Sequence, residues 1–345
     1  MKNPSSCTSC GASLTFDTKT RRLYCEHCGS SFNIPTKKTN TILVHKYSPE
    51  FTLQANTSAL NTFICNTCGT SHTVQDGKVS TRCPSCGSTN ITASANKLFY
   101  PDGIIPFKLS KAEAQQIFVK WLKKRKFAPK GLVNLAKQGK ITQMYVPVYN
   151  FNGVCHTAYT AIVKKVHTDK ASDAMFSTSY TLRDIDLTQI NNVIFSANTK
   201  VDSEVINKIT TFDQGKIVPY SSEYLFGYYG GETNINVHKC YSDLNYISGK
   251  DGEAKIRSKL KSKYDDIDSL QTNSRLRDVT FNYTYVPVFV NHYTYGKKDY
   301  HCYIGGESGK VAGKSPKSAA KVAAVTLGVL GVLAVGILLL AKFVF

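Results

Sequence analysis

The chain has 345 residues, 42% of them hydrophobic and 19% charged. That is enough apolar matter for about two domains, and it excludes wholesale disorder. Lys and Arg number 43 against 24 acidic residues, a net charge of +19 that favours anionic partners. The excess is confined to three stretches: residues 1–96 carry +5, 97–150 carry +9 and 310–345 carry +5, while 151–309 balance.

Eight of the eleven cysteines fall into four C-x-x-C pairs. The opening residues Met1 to Cys7 lack the apolar run of a secretory signal, so a cytosolic, reducing setting is expected. There the pairs read as metal ligands rather than as a disulfide framework. Cys7, Cys10, Cys25 and Cys28 form a first set; Cys65, Cys68, Cys83 and Cys86 form a second, each ligand 58 positions after its counterpart. Two residues between thiolates let a tight knuckle aim both sulfurs at one ion, and Gly11, Gly29, Gly69 and Gly87 supply the left-handed backbone that follows. Four thiolates close the coordination sphere. The expected cofactor is two structural Zn²⁺ ions, with iron as the alternative.

The organisation predicted from this is a small β zinc ribbon in 1–35, a connecting segment at 36–59 and a second ribbon in 60–95. A ribbon of ~35 residues has too little core to fold without its metal. His27 lies inside a complete cysteine knuckle, where no further ligand is required. Lys19, Arg21 and Arg22 accompany the first ribbon, Lys78 and Arg82 the second. Few aromatic residues stand among them to stack on bases, which favours protein docking over nucleic-acid contact.

Residues 97–309 read as an α+β domain. Ser110 to Glu113 is a capping box that opens a helix running to about Lys126, before Ala128-Pro129. Ala114, Ile117, Phe118, Trp121 and Leu122 form its apolar stripe, read as core. Lys120, Lys123, Lys124, Arg125 and Lys126 are candidate contacts for an anionic partner, either lipid headgroups or a nucleic-acid backbone. The runs 141–149 and 281–289 are β-rich, and Tyr-Val-Pro-Val recurs at 145–148 and 285–288. Each copy follows a charged helical segment, which predicts two related halves. Proline inside each run predicts an edge strand or a bulge. Tyr220, Tyr224, Phe226, Tyr228 and Tyr229, beside Gly227, Gly230 and Gly231, read as a packed loop.

No catalytic constellation is visible, and the chain reads as non-enzymatic with no small-molecule substrate. Cys155-His156, His238 with Cys240, and His301-Cys302 place thiols near imidazoles, but adjacent strand residues point to opposite faces. Those thiols read as buried structural cysteines. Gly313-Lys314-Ser315 has Ser308 where a phosphate loop requires glycine.

A Lys-rich linker at 310–321 precedes a predicted transmembrane anchor at 322–345. Ala323 to Ala341 carries no charge, and as a helix it spans about 30 Å. Lys314, Lys317 and Lys321 flank it on one side and Lys342 on the other, placing the bulk of a single-pass cell-membrane protein in the cytoplasm.

Taken together, the two CxxCG ribbons, Ile105-Pro106-Phe107-Lys108, Trp121, Ala128-Pro129, the two Tyr-Val-Pro-Val elements, Leu225-Phe226-Gly227, the Gly305 to Val311 segment, Pro316-Lys317-Ser318 and the apolar tail resemble one family. It is that of the bacterial TFIIB-type zinc-ribbon membrane proteins of the YdjG kind, often labelled primosomal-protein-N′-like or superfamily II helicase-like. The absence of an ATP-binding motif sets the helicase label aside. Where the family carries an Asn-Gly-Gln-Thr-Gly-like turn, this chain has Gly-Gly-Glu-Ser-Gly at 305–309. The resemblance implies a membrane-tethered, cytosol-facing subunit of an envelope-stress assembly, linked to phage-shock-protein-A-type peripheral proteins. The function expected is a non-enzymatic, zinc-binding, membrane-anchored scaffold in a multiprotein membrane complex. The alternative is a membrane-tethered nucleic-acid-binding protein using the ribbons and the basic segment 108–130.

Overall fold

The computed structural model describes residues 7–34 except 13, 42–52, 55–56, 60–65, 71–75, 91–94, 98–99, 101–134 except 130, 141–168, 175–321, and helical positions of the tail up to 333. A small meander comes first: β1 (Leu14–Asp17), β2 (Arg22–Cys25) and β3 (Ser31–Phe32) pair in that order. Then follow β4 (His45–Lys46), β5 (Ala55–Asn56), β6 (Leu60–Cys65), β7 (Ser71–Gln75), β8 (Ile91–Ser94), β9 (Leu98–Phe99) and β10 (Gly103–Ile104). Helix α1 (Lys111–Lys123) leads into β11 (Ile141–Thr168) and β12 (Met175–Ser196), and α2 (Ser203–Ile209) precedes β13 (Val218–Pro219) and β14 (Tyr229–Gly231). Helix α3 (Val237–Lys261), β15 (Asp266–Tyr295), β16 (Lys298–Gly305) and β17 (Val311–Gly313) complete the order.

The expected α+β domain gives way to a molecule that is mostly β-sheet. Strand length is the reason: β11, β12 and β15 run for 28, 22 and 30 residues, so the helices only cover their faces. β11 and β15 pair antiparallel along almost their whole length, with Val146 opposite Val286. The two Tyr-Val-Pro-Val copies are therefore each other's cross-strand partners. The outer edge of β11 is taken first by β14 and then by β12; that of β15 is shared by β4, β10 and β16.

The prolines sit where these outer partners change. The Pro147 carbonyl accepts from the Ala197 N–H at 2.9 Å, and the Pro287 carbonyl from the Gly306 N–H at 2.8 Å. In an antiparallel strand a residue's nitrogen and carbonyl face the same side. Each proline nitrogen thus faces outward, into a gap between partners where no donor is needed. This places both prolines in central strands without breaking the ladder.

The body and an arm divide the long strands. In the body, α1 buries Ala114, Phe118 and Leu122 in a cluster with Phe107, Tyr145 and Phe289. Its capping box is formed, with Ser110 and Glu113 each bonding the other's backbone N–H. Beyond Phe151 the strands continue as a three-stranded arm, β12-β11-β15, and α3 lies along one face. Tyr159, Ala161 and Val163 meet Ile256 and Leu260 there. Gly252 marks the closest approach: a Cβ on it would stand 2.4 Å from Thr157 Oγ1. Among the described residues no helix covers the other face of the arm, where Ile162, Ile185 and Leu187 are exposed.

The expected membrane anchor at 322–345 is corrected as well. Among the described residues no helix is long and apolar enough to cross a membrane. In the tail helix the side chains of Val325, Leu327, Leu330 and Leu333 are exposed. At the start of this helix Lys321 Nζ donates to the Ala128 carbonyl at 2.8 Å, and the Ser318 N–H to that of Phe127, fixing it beside the end of α1. Residues 334–345, with Lys342 and the rest of the apolar run, lie outside the described residues. The single-pass cell-membrane placement and the membrane-anchored scaffold fall with the anchor.

Candidate metal centre

Two knuckles bring four thiols together. Cys7 to Gly11 and Cys25 to Gly29 each close a turn in which the glycine N–H donates to the first cysteine's carbonyl, at 2.8 and 2.9 Å. Both glycines adopt positive φ, 77° and 75°, which a side chain would oppose. The β1–β2 hairpin, in register from Leu14↔Cys25 to Asp17↔Arg22, carries one knuckle to the other.

The sulfurs of Cys7, Cys10, Cys25 and Cys28 all lie within 4.8 Å of one another. Cys7 Sγ is 3.5 Å from Cys28 Sγ, and Cys10 Sγ is 3.5 Å from Cys25 Sγ. A tetrahedral ion with ~2.3 Å bonds to sulfur requires sulfurs about 3.8 Å apart, so the cluster fits one such ion with small adjustment. Cys7 and Cys25 are buried, while Cys10 and Cys28 face outward. The Ser30 hydroxyl and N–H hold the Cys28 thiol down to about 6. Burial pushes Cys7 up, but the N–H groups of Ser9 and Cys10 outweigh it and leave that thiol below its ordinary value. The Ala12 N–H pulls on Cys10, yet the neighbouring Cys28 sulfur and burial carry it up to about 12. A bound cation would displace the protons of the thiols it takes as ligands. His27 is exposed.

This module is fastened to the body by the aromatic loop 220–229. Phe226 is fully buried among Cys7, Leu14, Leu23 and Cys25. The Phe16 N–H donates to the Phe226 carbonyl at 2.9 Å. The Phe16 ring packs edge-on against Tyr224 at 5.2 Å and against Tyr228 at 6.2 Å. Gly227, at φ 89°, passes so close that a Cβ would meet Thr15 Cγ2 at 3.2 Å. The sequence marks these aromatics as packed but holds no sign of what they pack on.

Of the second set, Cys65 is buried at the end of β6. Cys68, Cys83 and Cys86 lie outside the described residues. The strands around them join the main sheet, because β7 pairs with β14. The remaining thiols are enclosed: Cys155, Cys240 and Cys302 are all buried, and burial raises Cys240 to about 12. His238 is held on both ring nitrogens, by the Tyr47 hydroxyl at 3.1 Å and the Phe51 carbonyl at 2.9 Å.

Lys120, Lys123, Lys124 and Lys126 are exposed on and just after α1, and the Arg125 guanidinium lies 4.2 Å above the Trp121 ring. Lys314 and Lys317 are exposed before the tail helix, whereas Lys321 is tied down as described.

No protein-family model matches the chain. No solved structure matches it either. Among curated proteins, the uncharacterized protein YdjG of Bacillus subtilis (strain 168) is 26% identical over 328 residues, covering 94% of this chain and 93% of that protein. That name carries neither a zinc-ribbon nor a helicase label, and the relation it supports is to YdjG itself, along nearly the whole chain.

Proposed function

We propose that the protein is a non-enzymatic interaction scaffold: a zinc-stapled module clamped to a β body whose arm pairs with an extended strand of a partner protein. The first ion is held by Cys7, Cys10, Cys25 and Cys28, and a second by Cys65, Cys68, Cys83 and Cys86. Thiolates alone favour zinc over hard cations, and a closed S₄ set gives it a structural role.

The observation that carries the scaffold reading is the free edge of β12. Among the described residues this strand pairs only with β11. Its first eight residues, Met175 to Leu182, carry no Pro and no charged side chain, the features that commonly guard an edge, whereas further along Lys255 caps the Leu187 carbonyl and Asp184 the Ile185 N–H. Near its start Met175 and Phe176 are 73% and 55% exposed. Such an edge adds a partner strand through backbone hydrogen bonds, with alternate side chains setting specificity.

Complexes isolated from the native cell through the wild-type chain and through a Ser179→Lys/Thr181→Lys variant test this. Both positions are exposed, so the variant is expected to keep its zinc and its melting temperature while losing the partner protein. Recovery of the same proteins in the same amounts would sink the edge-pairing reading. Zinc content measured on the pure protein, with two ions per chain expected, tests the metal assignment separately.

A further inference from the structure

The hairpin of β15 and β16 turns through Gly296 and Lys297, with Tyr295 opposite Lys298. Counting back from that pair, every second pair is of the non-hydrogen-bonded kind, in which side chains stand closest. His292 and His301 occupy such a position. Their rings lie 4.9 Å apart at 44°. Asp299, diagonally across the same face, brings Oδ1 to 3.6 Å from His292 Nε2. That carboxylate is held in place by the Thr294 hydroxyl, which donates to it at 2.7 Å.

We propose that His292, His301 and Asp299 form a second kind of metal site, a surface clamp for a borderline divalent cation such as Ni²⁺, Cu²⁺ or Zn²⁺. Two imidazoles and one carboxylate are the donor set those ions prefer, and they leave coordination positions open to water or a partner's side chain. Opposed strand residues have Cβ atoms about 5 Å apart, a span that one ion bridges between two imidazoles. His301 is exposed, so its ring is free to turn the last part of the way towards His292. Cys302, next in sequence, is no ligand: it points into the body core beside Tyr293 and Ile304. The sequence places His301 beside that thiol, and only the strand register reveals His292 as the true neighbour.

The test is a calorimetric titration of the full chain with NiCl₂ near neutral pH, using protein without a polyhistidine tag and with its zinc retained. One Ni²⁺ per chain is expected, with no matching zinc release. His301→Gln and His292→Ala should each weaken that binding about tenfold or more, while Cys302→Ala should bind as wild type. His301 is exposed, so His301→Gln keeps its melting temperature and stays informative even if His292→Ala folds poorly. The proposal is overturned by the absence of saturable binding, by unchanged affinity in His301→Gln, or by nickel uptake matched one for one by zinc release.

Discussion

Tyr228 donates a hydrogen bond from its hydroxyl to the main-chain carbonyl of Phe16 at 3.0 Å, joining residues 212 positions apart. This contact and the Phe16 ring together fix the cysteine module to the body. Phe16 is 3% exposed, and removing its ring leaves a cavity between Tyr224 and Tyr228. Phe16→Ala is expected to destabilise the docked state by about 3–5 kcal/mol. Tyr228→Phe, which strands a buried carbonyl but keeps the ring, costs about 1–3 kcal/mol. Trypsin sensitivity at Arg21 and Arg22 reads the effect: it should rise strongly in the first variant and modestly in the second. Equal resistance in both would show that the clamp carries no energy.

Much of the metal centre was legible in the sequence, because C-x-x-C-Gly is a local signal whose geometry needs nothing beyond its own turn. The clamp was not legible. Nothing near Tyr220 to Tyr229 says that its partner lies at Phe16, since the contact is made by the fold rather than by spacing. The Tyr-Val-Pro-Val repeat falls between these cases. Its β character is read from composition, but that Val146 faces Val286 across one antiparallel pair depends on register. The tail differs for another reason. An uncharged apolar run predicts a membrane span by length alone, whereas among the described residues no helix is long and apolar enough to cross.

His45 and Asp102 supply a pH-dependent tie between the segment after the ribbon and the main sheet. His45 Nε2 lies 2.9 Å from Asp102 Oδ1, and the other carboxylate oxygen accepts from the Tyr283 N–H. The rings of Phe51 and Phe281 also pack against the imidazole, and neither carries a charge. The hydrogen bond to Asp102 raises the His45 pKa despite its partial burial. A histidine whose folded pKa lies above its unfolded value, ~6.5, contributes its full stability below that value. The contribution is lost as pH rises through the folded pKa. Urea unfolding should therefore show wild type losing stability between mildly acidic and mildly alkaline pH, relative to His45→Gln. Parallel pH profiles for the two proteins would refute the assignment.

Gly252 is the point where α3 comes closest to the arm. Thr157 is fully buried and its hydroxyl is 2.9 Å from Ser274 Oγ, so it cannot swing aside freely. Gly252→Ala gains helix propensity of about 1 kcal/mol, but it drives a methyl group to 2.4 Å from that hydroxyl. Overpacking costs about 1–3 kcal/mol, so the net effect should be destabilising. Thr157→Ala removes the obstructing atom. In the double variant Gly252→Ala should turn from harmful to neutral or stabilising, a coupling read from thermal melts of the four proteins in a double-mutant cycle. Additive effects would place the tight contact elsewhere.

The cysteine module offers the sharpest separation of structural from incidental residues. Among the described residues its buried apolar core is Leu14, Leu23 and the inserted Phe226 with two buried cysteines, and Ala12, Phe32 and Ile34 pack against it partly buried. On the zinc assignment proposed above, such a core is too small to hold β1, β2 and β3 without the ion. Cys25→Ser removes a buried ligand and should lower zinc content by one ion per chain, whereas His27→Ala should leave it unchanged because that side chain is exposed. Lowering the pH should release the same ion, since protons compete for the thiolates. Hydrogen exchange gives the structural counterpart. In Cys25→Ser the amides of 14–32 should lose protection while those of the β11–β15 pair retain it, because the long strands bury a separate core around Phe281 and Tyr283. Collapse of protection in both regions at once would mean that the ion supports the body as well as the module, and that the clamp at Phe16 transmits its stability across the interface.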